Sequence, residues 1–155
     1  MCVPERTCGD PPGQQARGAS EPVDILIDSS VLIAAERGRL DLGVQLRDHD
    51  DAEVGIAAIV ASELVEGVHR QRGAVSRART QRFVDELLQR LPVAPFDLDV
   101  ARVHALLSAD LGAAGTAVGA HDLMIAAAAV HLGAAVATRD LRSFPKIRGL
   151  DVLRW

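Results

Sequence analysis

The sequence predicts an α/β fold, a parallel sheet between two layers of helices. Two observations carry this. Short apolar runs rich in β-branched residues alternate with longer segments of helical spacing. Apolar residues make up 48% of the 155-residue chain but aromatics only 3%, so the core is built from Ala, Val, Leu and Ile, small enough for helices to sit close against a sheet.

Order begins at Val23. Val23–Ile27 reads as a strand, Asp28-Ser29-Ser30 as a tight polar turn, and Val31–Glu36 as a helix ending near Gly38. Glu53–Ala58 is a second strand-like run, followed by a helix over Ile59–Arg70 with Ile59, Leu64 and Val68 on one side. Arg77–Leu91 is amphipathic, with Phe83, Leu87, Leu88 and Leu91 aligned, and Pro92 stops it. Val93–Phe96 is a short third strand. Leu98–Leu111 is helical through Val100, Val103, Leu107 and Leu111, and a Gly-rich loop, Gly112–Gly119, follows. Asp122–Leu132 is an Ala-rich helix that Gly133 can cap. Ala134–Thr138 is a fourth strand, Thr138-Arg139-Asp140 turns away from it, and Asp151–Leu153 forms a last edge strand. There is no internal repeat.

The length suits one domain, expected over residues 23–155. Residues 1–22, rich in Gly, Pro, Gln, Ser and charge, read as a disordered tail and lack the apolar centre of a signal peptide. Both cysteines, Cys2 and Cys8, fall there. The core therefore does without disulfides, which is compatible with a reducing cytoplasm. No apolar stretch is long enough to span a bilayer, and the runs Ile56–Ala61 and Leu123–Val130 read as buried core.

In parallel sheets, ligands bind beyond the carboxyl ends of the strands, and the polar residues expected there are acids. Asp28 directly follows the first strand and Asp140 the fourth. Glu63 lies in the first turns of the helix after the second strand, and Asp122 opens the helix that leads into the fourth. If strands one, two and four are neighbours, these acids meet at one edge, where they repel unless a cation neutralises them. Each also has a plain structural role when taken alone. Asp28 can cap the following helix, Asp122 can favour the positive end of its own, Glu63 can be solvated like Glu66, and Asp140 can pair with Arg139 or Arg142.

All four are hard oxygen donors, which suit Mg²⁺ or Mn²⁺ rather than zinc. His121 adjoins Asp122, but neighbouring residues on a helix point in different directions, so it reads as non-ligating. His49, His69, His104 and His131 are scattered. A Mg²⁺ held by carboxylates can grip a phosphodiester, lower the pKa of a water and stabilise the leaving oxygen. Ser30 and Thr138 are placed to orient the acids or their waters, or to serve only as turn and cap residues.

The net charge of −4 argues against a general nucleic-acid binder, so a nucleic-acid backbone would have to be held by local patches. Arg70, Arg72, Arg77, Arg79 and Arg82 lie in a stretch free of acids, and Arg139, Arg142, Lys146 and Arg148 follow the fourth strand. With no Tyr and three Phe, base-stacking platforms are not expected.

The segments ILIDSSVLIAAERG (25–38), GIAAIVASELVEGV (55–68) and GAHDLMIAAAAVHLGAAVATRD (119–140), with LRSFPKIRGL after them, resemble the PIN domain, specifically the VapC-type toxin ribonucleases of bacterial toxin–antitoxin pairs. Matched motif by motif, Asp28 is the acid after the first strand, Glu63 that of the Ser-Glu-Leu helix, Asp122 that before the Ile-Ala-Ala helix, and Asp140 the acid, or sometimes Asn, after the Thr of the fourth strand. The resemblance implies a PIN-like parallel-sheet sandwich and a Mg²⁺- or Mn²⁺-dependent endoribonuclease with these acids as catalytic metal ligands. It also implies a homodimer and a cognate VapB-type antitoxin that blocks the site. The tail departs from the family, whose chains usually begin near the first strand. Two other readings stay open: a non-catalytic module that keeps the fold, and a phosphatase-like α/β enzyme using Asp28 as nucleophile. In the latter, a second Asp usually stands where this chain has Ser30.

Overall fold

A computed structural model gives the fold of residues 22–155. Cys2, Cys8 and all but the last residue of the expected tail lie outside the described residues.

β1 (Ile25–Ile27) leads into α1 (Ser29–Glu36), and a short α2 (Leu42–Arg47) precedes β2 (Val54–Ala57). Then come α3 (Ala58–His69), α4 (Ala74–Arg90), β3 (Val93–Ala94), α5 (Leu98–Ala113), α6 (Ala120–Leu132), β4 (Ala135–Thr138), a 3₁₀ turn (Phe144–Lys146) and β5 (Val152–Arg154). The five strands form one sheet in the order β3-β2-β1-β4-β5, every pair parallel. The expected neighbourhood of strands one, two and four is therefore met, with β1 at the centre.

Burial explains why β1 is central. Successive strand residues face opposite sides of a sheet, yet Ile25, Leu26 and Ile27 are all buried, so helices cover both faces. α6 shows the same logic in a helix. Ile125, Ala126, Ala127, Ala128 and Ala129 are buried in succession, which no amphipathic helix allows. The run of alanines lets α6 lie against α5 on one side and against β4, β1 and β2 on the other. Gly133 ends it in the left-handed conformation at φ 69°, and the chain turns straight back into β4. The N-terminus of α6 therefore sits at the carboxyl edge of the sheet, where β1, β2 and β4 end.

The boundaries differ from the sequence reading where long-range pairing decides them. Val23 and Asp24 precede β1, because the Asp24 and Ile25 N–H groups both donate to Glu53 O at 2.7 and 3.2 Å. β3 stops at Ala94, and Phe96 stays exposed, edge-on to His104. Two elements were not foreseen. α2 is a short helix, capped by Asp41 accepting from Val44 N–H at 3.2 Å. The 3₁₀ turn exists to deliver Phe144, which is fully buried beside Ile147. Truncating such a phenylalanine to alanine costs about 3–5 kcal/mol.

Candidate active site

Asp28 lies at the carboxyl end of the central strand. Its N–H donates to Ala137 O at 2.9 Å, extending the β1–β4 ladder by one bond and setting the direction of the side chain. Asp28 occupies the N-cap position of α1, but its carboxylate does not cap the helix. Instead Oδ2 accepts from Ser30 Oγ at 2.5 Å and from Thr138 Oγ1 at 2.8 Å. The two hydroxyls stand 3.3 Å apart and are held in turn, Ser30 Oγ by Arg139 N–H at 3.1 Å and Thr138 Oγ1 by Asp140 N–H at 3.0 Å. Thr138 is fully buried and Asp28 is 5% exposed. Both hydroxyls fall on Oδ2, and the Ser30 N–H also faces the carboxylate and favours its charge.

Burial raises the Asp28 carboxyl above its ordinary value, and the charge of Asp122 pushes it the same way; the Ser30 and Thr138 hydrogen bonds work against this. Asp28 is thus a buried carboxylate with Oδ2 fixed by two hydroxyls and a second acid close enough to disfavour its ionisation.

Asp122 is the third residue of α6, within its positive first turn. Its side chain makes no hydrogen bond among the described residues and folds back over Gly119. A Cβ built on Gly119 would lie 2.9 Å from Asp122 Oδ2, so the missing side chain at position 119 is what leaves the carboxylate its place.

Glu63 lies on α3, which starts directly after β2. Its Oε1 is 2.6 Å from His121 Nδ1. Asp140 is engaged by Arg142: Nε to Oδ1 at 2.9 Å, Nη2 to Oδ2 at 2.6 Å, and the Arg142 N–H to Oδ1 at 3.0 Å. These bonds hold the Asp140 carboxyl down at about 2. Among the described residues, no group of three or more His, Cys, Asp or Glu side chains is arranged to hold a metal ion. The four acids thus share one edge of the sheet without forming the closed cluster expected of them. The contacts divide them: Glu63 is engaged by His121 and Asp140 by Arg142, so these two carboxylates face separate donors.

The basic residues divide similarly. Arg142 is committed to Asp140, whereas Arg139, beside Ser30, is exposed with no ion pair among the described residues. On α4, Arg77 donates to Gln71 O at 2.8 Å and steadies the loop before the helix. Arg79 is exposed and makes no ion pair among the described residues. A cleft of about 90 Å³ opens between α1, α3 and α4, lined by Ile33, Leu64, Phe83 and Val84 on one hand and by Glu36, Arg37, Glu63, Gln71 and Thr80 on the other, with Glu36 held by Thr80 at 2.6 Å.

Sequence reasoning missed His121 and Gly119. His121 does point away from Asp122, as helix geometry requires, but that direction takes it to Glu63. No local pattern signals a contact across 58 residues. Gly119 closes the Gly-rich loop Gly112–Gly119, and nothing local signals its contact with Asp122.

The sequence matches the PIN domain family over residues 25–150. It is 31% identical to ribonuclease VapC1 of Rickettsia felis over 129 residues, 83% of this chain and 94% of that one. The fold is similar to that of DNA-bound VapBC from Salmonella typhimurium, with a TM-score of 0.77, 25% identity, and coverage of 86% of this chain and 98% of that one. It is also similar to VapBC-5 from Mycobacterium tuberculosis, a member of the VapBC family of toxin-antitoxin systems, with a TM-score of 0.67, 25% identity, and coverage of 87% and 100%. This chain, with its central parallel strand ending in a buried aspartate, belongs to the PIN domain family, among the VapC ribonucleases.

Proposed function

We propose that the chain is a Mg²⁺- or Mn²⁺-dependent endoribonuclease toxin that hydrolyses RNA phosphodiester bonds and is neutralised by a VapB-type antitoxin. One observation carries the reading: the buried Asp28 stands beside the unpartnered Asp122. Burying a carboxylate next to a second one is unfavourable. The arrangement suits a divalent cation, and the donors are hard oxygens of the kind Mg²⁺ and Mn²⁺ take.

Asp28 and Asp122 would hold the ion, joined by Glu63 through the oxygen that His121 leaves free. Asp140, with both oxygens on Arg142, is the outermost of the four. When bound, the ion supplies Lewis-acid polarisation of the phosphodiester and a lowered pKa for the attacking water. Ser30 and Thr138 fix Asp28 Oδ2 and keep the carboxylate in one rotamer. Arg139, whose N–H donates to Ser30 Oγ and whose exposed side chain makes no ion pair among the described residues, would take a substrate phosphate. Arg142 keeps Asp140 ionised. Arg77 and Arg79 extend the basic surface along α4.

The relatives support the other parts of the proposal. VapC1 of Rickettsia felis is a ribonuclease by name, and VapBC-5 belongs to a toxin-antitoxin family. The cleft between α1, α3 and α4 includes Glu63 in its lining, and an antitoxin side chain anchored there would bring its segment over the acids. We place the protein in the cytoplasm as a homodimer. No helix among the described residues is long and apolar enough to cross a membrane.

The test is purified protein incubated with total cellular RNA in Mg²⁺ or Mn²⁺, with and without EDTA, and the cut ends mapped. Cleavage is expected only with free metal, and Asp28→Asn is expected to abolish it while the fold persists. Cutting that survives EDTA, or full activity in the variant, refutes the metal reading.

A further inference from the structure

We infer that His121 is a positioning residue that holds the carboxylate of Glu63 in place for metal binding; the inference rests on the metal reading above. His121 Nδ1 lies 2.6 Å from Glu63 Oε1, while the other Glu63 oxygen makes no hydrogen bond among the described residues. The contact joins the first turn of α6 to α3, two helices that each carry one of the acids. The Glu63 side chain is 24% exposed and that of His121 54%, so the pair sits at the rim of the site, with the carboxylate on the inner side. Glu66, one turn further along α3, is 54% exposed and pairs with Arg70 on the solvent face. The two glutamates of α3 thus have different partners, and only Glu63 is tied across to the helix that bears Asp122.

The chemistry follows from the donor. An ionised carboxylate only accepts, so the ring presents Nδ1–H to it, in either the neutral Nδ1–H tautomer or the imidazolium. Its role is to orient and does not depend on a change of charge. Glu has a long side chain with many rotamers. A hydrogen bond to Oε1 removes most of them before the ion arrives and leaves the second oxygen as ligand, in the way that partners behind a metal's ligands usually act. The helix position that turns His121 away from Asp122 is what brings it to Glu63, so successive residues of α6 serve two acids.

The test measures Mn²⁺ affinity on the full chain, through the electron paramagnetic resonance signal of free Mn²⁺, together with RNA cleavage at varied Mn²⁺. His121→Ala should weaken Mn²⁺ binding roughly 10–100-fold. Its melting temperature should stay unchanged, because the side chain is half exposed. Cleavage by this variant should recover as Mn²⁺ is raised, leaving kcat close to that of the wild type. His121→Asn places an amide N–H near the position of Nδ1 and should restore binding to within about threefold. His121→Gln puts its amide further out and should not. Equal or tighter Mn²⁺ binding by His121→Ala overturns the inference, as does a loss that Asn fails to repair. A wild-type protein that binds no Mn²⁺ overturns the metal reading and this inference with it; normal wild-type binding with an indifferent His121→Ala overturns this inference alone.

Discussion

Gly119→Ala adds a single methyl group and should separate the site from the fold. The added Cβ would stand 2.9 Å from Asp122 Oδ2 and 3.4 Å from Cγ. Carbon–oxygen contacts that are not strained lie at about 3.3–3.6 Å, so the carboxylate has to retreat by roughly 0.4–0.7 Å. Catalytic groups are held to within about 0.5 Å of their working positions, and a misplacement of about 1 Å costs on the order of 100-fold. A retreat of half an ångström therefore predicts about a tenfold loss in kcat/KM, or ~1.4 kcal/mol. Stability should barely change. Gly119 has φ −60°, which alanine adopts freely. Alanine is the poorer N-cap, but it also restricts the unfolded chain, and the two effects oppose each other. The assay is kcat/KM on a short fluorogenic RNA beside a thermal melt and Mn²⁺ affinity. Gly55→Ala is the control. Its Cβ would meet the backbone oxygen of Pro92 at 2.8 Å, and a strand cannot rotate aside as a carboxylate can. That variant should lose about 1–3 kcal/mol of stability. A Gly119→Ala protein with wild-type cleavage and metal affinity, or one that fails only by unfolding, would show that Asp122 does not depend on the space above Gly119.

Two further outcomes follow from charge. In metal-free protein the folded-state pKa of Asp28 lies above its ordinary 3.8, so the folded chain binds that proton more tightly than the unfolded chain. This contribution to stability is complete below pH 3.8 and is lost as pH rises through the raised value, whereas Asp140, held down at about 2, contributes above pH 3.8 and loses its part as pH falls toward 2. Urea midpoints across pH should show the Asp28 loss disappear in Asp28→Asn and the acid-side Asp140 loss disappear in Arg142→Ala; parallel curves for all three proteins would refute both assignments. Arg77→Ala combined with Arg79→Ala should weaken RNA binding more at low salt than at high salt, read as a shallower dependence of affinity on salt; an unchanged slope removes α4 from the RNA surface.

The order of strands and helices was legible because it is written in local periodicity. β-branched runs mark β1, β2 and β4, helical spacing marks α3 to α5, alanine content marks α6, and Pro92 and Gly133 mark two ends. The elements that escaped have no period to read. α2 is six residues long with no buried residue, and the 3₁₀ turn is three residues serving one phenylalanine. The polar residues that follow the strands could be named in the same way, since in a parallel sheet those positions share one edge.

Chemical type and place along the chain were therefore the sequence's own contribution: which residues are acids, and that each follows or opens an element at one end of a parallel sheet. The tertiary structure decided partners. It placed β1 between β2 and β4, buried Asp28 and bonded it to Thr138 across 110 residues, sent Glu63 to His121 and Asp140 to Arg142, and gave Gly119 its purpose. The physical reason is range. Helix and strand periods arise between residues a few positions apart, while burial and hydrogen-bond partners depend on which distant segments the packed core brings within 3 Å.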